Sequence, residues 1–293
     1  MKKINSEVTI GILVVTFILG LAGINNNVYA ATSPTLAGSA SYSVLGAETV
    51  TNTGLTTTTG DVGVTPGTSI THFPPGIAGG NNATHLHSND ASAIAARADI
   101  LSAFDAIDQD CTTTYNTGTK DLVGLNLVAG VYCADAFTLT GTLTLSGTGV
   151  WIFKSAETLI TSGTANIVGG DPCNVWWREV SSSILGTNNS LIGNILASTS
   201  ITMATGATLN GRAMVLTGAV TLDANIITGP ICAETPIVPE VVTPTPEVVT
   251  PKLPNTGFAP EKTQSSLWTI GIPAGVMSIA LLSFFIVRKK RAI

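Results

Sequence analysis

Charge is what this sequence has least of. Asp, Glu, Lys and Arg make up 11% of the chain and aromatic residues 5%, so most of the exterior must be Thr, Ser, Asn and Gly. Basic residues are the scarcest: between residues 31 and 256 there are six Lys and Arg against sixteen Asp and Glu. That acidic balance argues against nucleic acid and anionic membrane surfaces as partners. There is no Cys-x-x-Cys, no zinc-like spacing and no nucleophile motif. The few basic side chains are scattered, whereas a polysaccharide lyase or hydrolase needs them, or a pair of carboxylates, converging on a groove. No enzyme activity, cofactor or metal is expected. His85-x-His87 with Asp90 comes nearest to a ligand set, and its neighbours read instead as a cap loop and a helix start. A neutral, hydroxyl-rich surface suits an extended uncharged lattice or polymer.

What the chain does have is rhythm. Between Gly193 and Gly229, short apolar runs (Ile195–Ala197, Ile201–Met203, Thr208–Asn210, Met214–Leu216, Val220–Leu222, Asn225–Ile227) alternate with Gly, Thr, Asn and Ser. Each is too short for a helix and is bounded by turn residues, so each reads as a strand. Taken in threes, the first run of a set returns about 19 residues later, from Ile195 to Met214, which marks a stacked repeat. The expected object is a mainly β, three-faced parallel β-solenoid in which only the stack can bury the apolar side chains. Val150–Phe153, Val175–Trp177, Ile195-Leu196 and Met214–Leu216 read as its first-face strands, with a turn-rich insertion at Gly169–Cys173.

Those first-face strands are apolar almost throughout, so a cover is expected over them. Asp90–Gln109 supplies it: an Ala-rich helix, capped by Asn89 or Asp90, with Ile94, Ala98, Leu101, Phe104 and Ile107 as the expected apolar stripe. Trp151, Trp176 and Trp177 then read as core rather than as an exposed aromatic strip. Tyr42–Gly67 provides the first coils, and Val131-Tyr132, Phe137–Leu139 and Thr142–Leu145 resume them after the helix.

The ends are of another kind. Residues 1–30 read as a secretion signal: Lys2-Lys3, an apolar run from Ile10 to Leu21, and Val28-Tyr29-Ala30 before the cut. The solenoid domain is expected over residues 31–234, followed by a Pro-rich spacer at 235–252 in which Pro-Glu-Val-Val-Thr occurs twice. Then come Leu253-Pro254-Asn255-Thr256-Gly257, an apolar run at 267–287 long enough to span a bilayer, and a basic tail at 288–293 that should stay in the cytoplasm. Export makes disulfides available to Cys111, Cys133, Cys173 and Cys232. Three pairings are open; joining Cys111 to Cys133 and Cys173 to Cys232 would staple the loop after the helix and the final coil.

Two resemblances sharpen this reading. The C-terminus resembles an LPXTG-type cell-wall sorting signal with all three parts in order. That implies a sortase cutting between Thr256 and Gly257 and joining Thr256 to peptidoglycan, with a membrane-held precursor and a final place on the cell wall. The body, about residues 35–232, resembles the secreted microbial ice-binding proteins. The resemblance is carried by Tyr42–Gly46, His72–Gly76, His87–Asp90, Val175–Trp177 and above all Thr205–Ala213. It implies a discontinuous right-handed solenoid with one helix alongside, and a monomer that binds an ice surface. Outward Thr158, Ser200, Thr202 and Thr221 on the second face are the candidate ice contacts, and Thr205-Gly206-Ala207-Thr208 fits the Thr-Ala/Gly-X-Thr/Asn pattern of some relatives. Asp223 and Glu157 interrupt that array. The expectation is a wall-anchored, non-catalytic ice-binding protein, acting in freeze protection or ice adhesion. The competing reading is a non-ice adhesin or glycan-binding wall protein on the same fold.

Overall fold

The structure, a computed structural model, describes residues 30–116, 118–229 and 231–232. The leader through residue 29, the spacer, the Leu253–Gly257 motif, the 267–287 span and the basic tail lie outside the described residues. Among the described residues, no helix is long and apolar enough to cross a membrane.

Short parallel strands stack into a solenoid whose wall is a 15-stranded sheet wrapping two faces and an 8-stranded sheet forming the other. In one coil, Val175–Glu179 lies on the first face, Ser182–Leu185 on the second and the front of Ser190–Ala197 on the third. The rear of that strand turns the corner onto the first face, where Ile195 pairs with Trp177. Glycine makes the corner: Gly193 has φ +105°, and a Cβ on Gly211 in the next coil would lie 1.8 Å from the Gly193 carbonyl oxygen.

The register corrects the repeat read from the apolar runs. Ile195 pairs with Ala213, and Leu196 with Met214, so the coil is one residue shorter than the expected return from Ile195 to Met214. Because side chains alternate, that single step separates the two. Ile195 points into the solenoid and Met214 toward the helix.

The stack is also discontinuous. The last coil does not end it, since Val220 and Thr221 pair with Val50 and Thr51, and Ala213 pairs with Val44. The N-terminal coils therefore sit on the C-terminal ones. Buried Arg212 ties this junction together, donating to the Ala40 carbonyl at 2.8 Å and to Asn194 Oδ1 at 3.0 Å.

Two apolar layers result. Inside the solenoid, Phe153 stacks on Trp177 at 4.2 Å, and Trp151 and Leu209 share the same core. Outside the first face, Ala91–Ala106 forms the covering helix, and the side chain of Asp90 caps it by accepting from the Ala93 N–H at 2.9 Å. Its buried stripe is Ala93, Ala96, Ile100, Ala103 and Ile107, packed on Leu45, Trp176, Leu196 and Met214. This corrects the expected stripe: Phe104 and Ile107 do face inward, but Ala98 is exposed, as are Ile94 at 53% and Leu101 at 40%. Three alanines alternate along that stripe with the larger Ile100, Phe104 and Ile107. At its C-terminal end Lys154 and Arg178 meet Asp108 at 2.6 and 3.2 Å, and Arg178 Nε donates to the Phe104 carbonyl at 3.0 Å. These cations complement the negative end of the helix dipole.

The disulfides join Cys111 to Cys133 and Cys173 to Cys232, with Cα separations of 5.9 and 5.5 Å. The first ties the loop after the helix to the first face. The second ties residue 232 to the Gly169–Cys173 insertion.

Candidate functional site

On the second face, each strand sends alternate side chains inward and outward. The inward row runs Phe137, Leu159, Ser183, Ile201, Val220 and Val50, and it seats the strands on the core. The outward row between its neighbours reads Asp121, Thr138, Ile160, Ile184, Thr202, Thr221, Thr51 and Thr71, each paired with the next. Its last four members are threonines in register across four adjacent coils. Each stands ~4.8 Å from the next, the strand spacing of a sheet. A β-branched side chain has few χ1 choices, so hydroxyls and methyls repeat from Thr202 to Thr51 with little rotameric freedom, while Thr71 Oγ1 is buried without a hydrogen-bond partner.

A second outward row flanks it. Ser182 and Ser200 pair with their hydroxyls 2.9 Å apart, and Thr49 pairs with Ser69. Thr158 stands in this row, beside Ala136. The face thus carries hydroxyls along both rows with few charges. Asp121 lies at one end, where its carboxylate accepts from Thr140 Oγ1 at 2.8 Å and the Val123 N–H at 3.1 Å. Asp223 lies at the edge and accepts from Thr205 Oγ1. Glu157 is exposed on the turn before Thr158.

The structure divides the residues expected to act together. Thr158, Ser200, Thr202 and Thr221 share the second face. Thr205 instead occupies the corner after it, in a turn where Gly206 has φ +72°, and Thr208 lies on the third face, paired with Ser190 and Ile226. The largest omission from the sequence reading is Thr49, Thr51, Ser69 and Thr71. Thr-Val-Thr and Ser-Ile-Thr carry the same alternation as Ser-Ile-Thr at 200–202, and that pattern was the available signal. Their contact with Thr221 follows only from the discontinuous stacking.

Buried amides hold the second face in place. Asn225 is fully buried at its corner; Nδ2 donates to the Ala204 and Ala207 carbonyls at 2.9 and 3.1 Å, and Oδ1 accepts from the Asp223 N–H at 2.7 Å. Its own N–H donates to Thr56 Oγ1 at 3.1 Å, across the junction between last and first coils. Asn189 does the same work two coils away, accepting from Thr161 Oγ1 at 2.7 Å and donating to the Gly163 carbonyl at 3.0 Å. With the amides of Asn225 and Asn189 paired in this way, these corners are fixed rather than hinged.

Other chemistry finds little to work with. Among the described residues, no group of three or more His, Cys, Asp and Glu is placed to hold a metal ion. His87 Nδ1 lies 2.8 Å from Asp90 Oδ2, at the helix cap, and His85 Nδ1 lies 2.6 Å from Asp61 Oδ1. Burial opposes ionisation of Asp90, yet the bonds from Ala93 and His87 hold its carboxyl below the ordinary value. Trp151, Trp176 and Trp177 are buried, with indole N–H groups donating to the Leu127 carbonyl, Ser33 Oγ and the Ile192 carbonyl. A cavity of about 390 Å³ lies between Gly147–Gly149 and Gly170-Asp171. It is at the corner of the third and first faces, away from the threonine rows, and Asp171 there already accepts from the Cys173 N–H at 3.0 Å.

A family model described as "Ice-binding-like" matches residues 44–228. An ice-binding protein of Nostoc sp. (strain HG1) is 37% identical over 233 residues, covering 77% of this chain and 83% of the relative. A crystal structure of an ice-binding protein from the Antarctic ascomycete Antarctomyces psychrotrophicus aligns with TM-score 0.64 and 40% identity, over 69% of this chain and all of that one. Another, of an ice-binding protein from an Antarctic biological consortium, aligns with TM-score 0.63 and 36% identity, over 68% of this chain and 92% of that one.

Proposed function

The chain belongs to the ice-binding-like family, and from that premise we propose that it binds ice through the outward threonine and serine rows of its second face. The observation that carries this reading is the run Thr202, Thr221 and Thr51, three hydroxyl–methyl pairs held in register, with Thr71 continuing the row although its Oγ1 is buried. Ice is a neutral, repeating lattice of hydrogen-bonding groups. A flat row of stiff side chains can order water into a matching pattern, the hydroxyls bonding and the methyls filling the spaces between. A charged side chain would keep its own hydration shell instead. Function of this kind needs no catalysis. A glycan-binding reading lacks its usual aromatic platform among the described residues, because Trp151, Trp176 and Trp177 are in the core.

The test uses the solenoid domain, residues 30–232, which corresponds to the whole length of the solved ascomycete relative. It is expected to slow ice recrystallisation and to separate melting from freezing temperature. A folded domain that does neither at high concentration would overturn the reading.

We further infer that the protein is exported and attached to the cell wall, a reading supported by the sequence alone. The leader at 1–30, the spacer at 235–252, the Leu253–Gly257 motif, the span at 267–287 and the tail at 288–293 make sortase its processing partner and peptidoglycan its attachment. On that reading the spacer holds an ice-binding module clear of the wall, in freeze protection or ice adhesion. Cell fractionation is expected to place the chain in the wall, released by peptidoglycan hydrolases; recovery in the membrane alone, unchanged by Thr256→Ala, would refute the attachment.

A further inference from the structure

The bridge between Cys173 and Cys232 sits where the chain leaves the solenoid. Cys232 is the last described residue, and the sequence beyond it is the Pro-rich spacer and the Leu253–Gly257 motif. The chain just before Cys232 has little hold on the stack. Its nearest strand, Ile226–Ile227, pairs through two residues on each side, with Thr208 and Leu209 and with Thr57 and Thr58. Cys173 precedes a strand of another kind. Val175–Glu179 pairs along five residues with Trp151–Ser155 and along four with residues 194–197. It is also pinned on both sides of the sheet. Trp177 stacks on Phe153 in the solenoid core, and Trp176 lies in the layer under the helix.

We propose that the Cys173–Cys232 bridge is a mechanical clamp that passes tension from the C-terminal tether into Val175–Glu179 and spares the last coil; this rests on the wall-attachment and ice readings above. A module fixed to ice by its second face and to the wall by its C-terminus is stretched between the two. Without the bridge, that tension would act first on Ile226–Ile227. A strand loaded at one end comes apart pair by pair, and this one is short. The next strand back is Val220–Asp223, which carries Thr221. Peeling it would break the threonine row, because Thr221 is paired with Thr51. The bridge closes this route. Residues 173–232 become a covalent loop that contains Ser182–Leu185, Ser200–Met203 and Val220–Asp223, so none of these strands can be drawn out through the C-terminus. Tension then reaches a strand with long ladders on both sides and two buried indoles, whose extraction would open both apolar layers together. Arg212 braces the same point: Nη1 lies 4.0 Å from Cys232 Sγ, and the guanidinium is bonded to the Ala40 carbonyl and Asn194 Oδ1. The Cys111–Cys133 bridge lies off this path, since its loop contains none of Thr202, Thr221, Thr51 and Thr71.

The experiment pulls single molecules of residues 30–256 between the C-terminus and a bioorthogonal handle at Ser69, an exposed second-face position that stands in for the ice contact. The parent is expected to hold until the domain unfolds as a whole. Cys173→Ser/Cys232→Ser should yield earlier, in a separate low-force step that releases the last coil. Cys111→Ser/Cys133→Ser should break at the parent's force, which separates a clamp from the general stability that a disulfide lends. Without load, the Cys173→Ser/Cys232→Ser domain should keep the parent's thermal hysteresis; losing it would make the bridge a static brace of the face and overturn the proposal. Should that variant fail to fold, a phosphine reductant applied under low tension to folded Cys111→Ser/Cys133→Ser opens the remaining bridge alone and reads the same step. No early step, or equal weakening by loss of either bridge, overturns the clamp and leaves wall attachment standing. A chain that fractionates unattached to the wall removes the tether tension, and this proposal with it, whatever the pulling shows.

Discussion

A domain carrying Thr221→Tyr together with Thr51→Tyr loses most of its thermal hysteresis, while its melting temperature scarcely moves. The two positions are adjacent in the outward row, and one comes from each end of the chain. A tyrosine at either stands above the threonine plane and prevents close approach of a flat lattice. It suits an exposed strand position, so stability should change by no more than about 0.5 kcal/mol. The expected fall in ice affinity is on the order of tenfold, equivalent to about 1.4 kcal/mol. Ser102→Tyr, on the exposed side of the covering helix, is the control and should leave hysteresis unchanged. If the Tyr pair retained full hysteresis in a folded domain, the threonine row would have no part in ice binding. The pair also tests the junction: Thr51 alone should matter as much as Thr221, although 170 residues separate them.

That junction marks where the sequence stops being legible. Short apolar runs bounded by Gly and Asn reveal strands because alternation and turn chemistry are local. The Ala-rich helix is legible for the same reason. The partner of a strand is not local information. Nothing between Thr49 and Thr53 announces that Thr51 will meet Thr221, because the contact depends on the last coil being left open for the first to cover. The same limit applies on a smaller scale. Ile195 and Met214 both look like the start of a coil, and only the ladder shows that Ala213 is the inward residue there. On the helix, the larger side chains at Ile94 and Leu101 seemed the natural core, yet the buried stripe runs through Ala93, Ala96, Ile100 and Ala103 to Phe104 and Ile107. Residue type signals burial; which side of an Ala-rich helix meets the sheet is decided by the packed pair. The candidate site inherits both effects. Thr202 and Thr221 are visible from alternation alone, whereas Thr208, which matches a motif, is carried by the corner onto another face.

Replacing Glu179 with glutamine stabilises the domain above pH 5, and more so as pH rises. Glu179 is fully buried on the first face, pointing into the solenoid. Ser155 Oγ donates to its Oε2, and Oε1 has no hydrogen-bond partner. Burial pushes its carboxyl up to about 8 from the ordinary 4.5, against the smaller opposing effects of the Ser155 bond and the Arg178 charge. The sign follows. Below pH 4.5 the group is protonated whether the chain is folded or not, and its contribution to stability is fully present. Between 4.5 and 8 the unfolded chain gains by ionising while the folded chain holds the proton, so that contribution is lost as pH rises through the native value. At pH 7 the loss reaches up to about 3 kcal/mol, or about 6–12 °C in melting temperature for a domain of this size. Glutamine removes the titration and its carbonyl still accepts from Ser155. Asp90 and Asp108, both held below the ordinary carboxylate value, contribute in the opposite sense: their stabilisation is lost as pH falls below about 4. They are present in both proteins and cancel in the difference. The difference in melting temperature between Glu179→Gln and the parent should therefore be small at pH 4 and grow steadily to pH 8. A difference that stays flat across that range would mean Glu179 ionises in the folded protein at its ordinary pH, and that the interior around Ser155 holds enough water to solvate the charge.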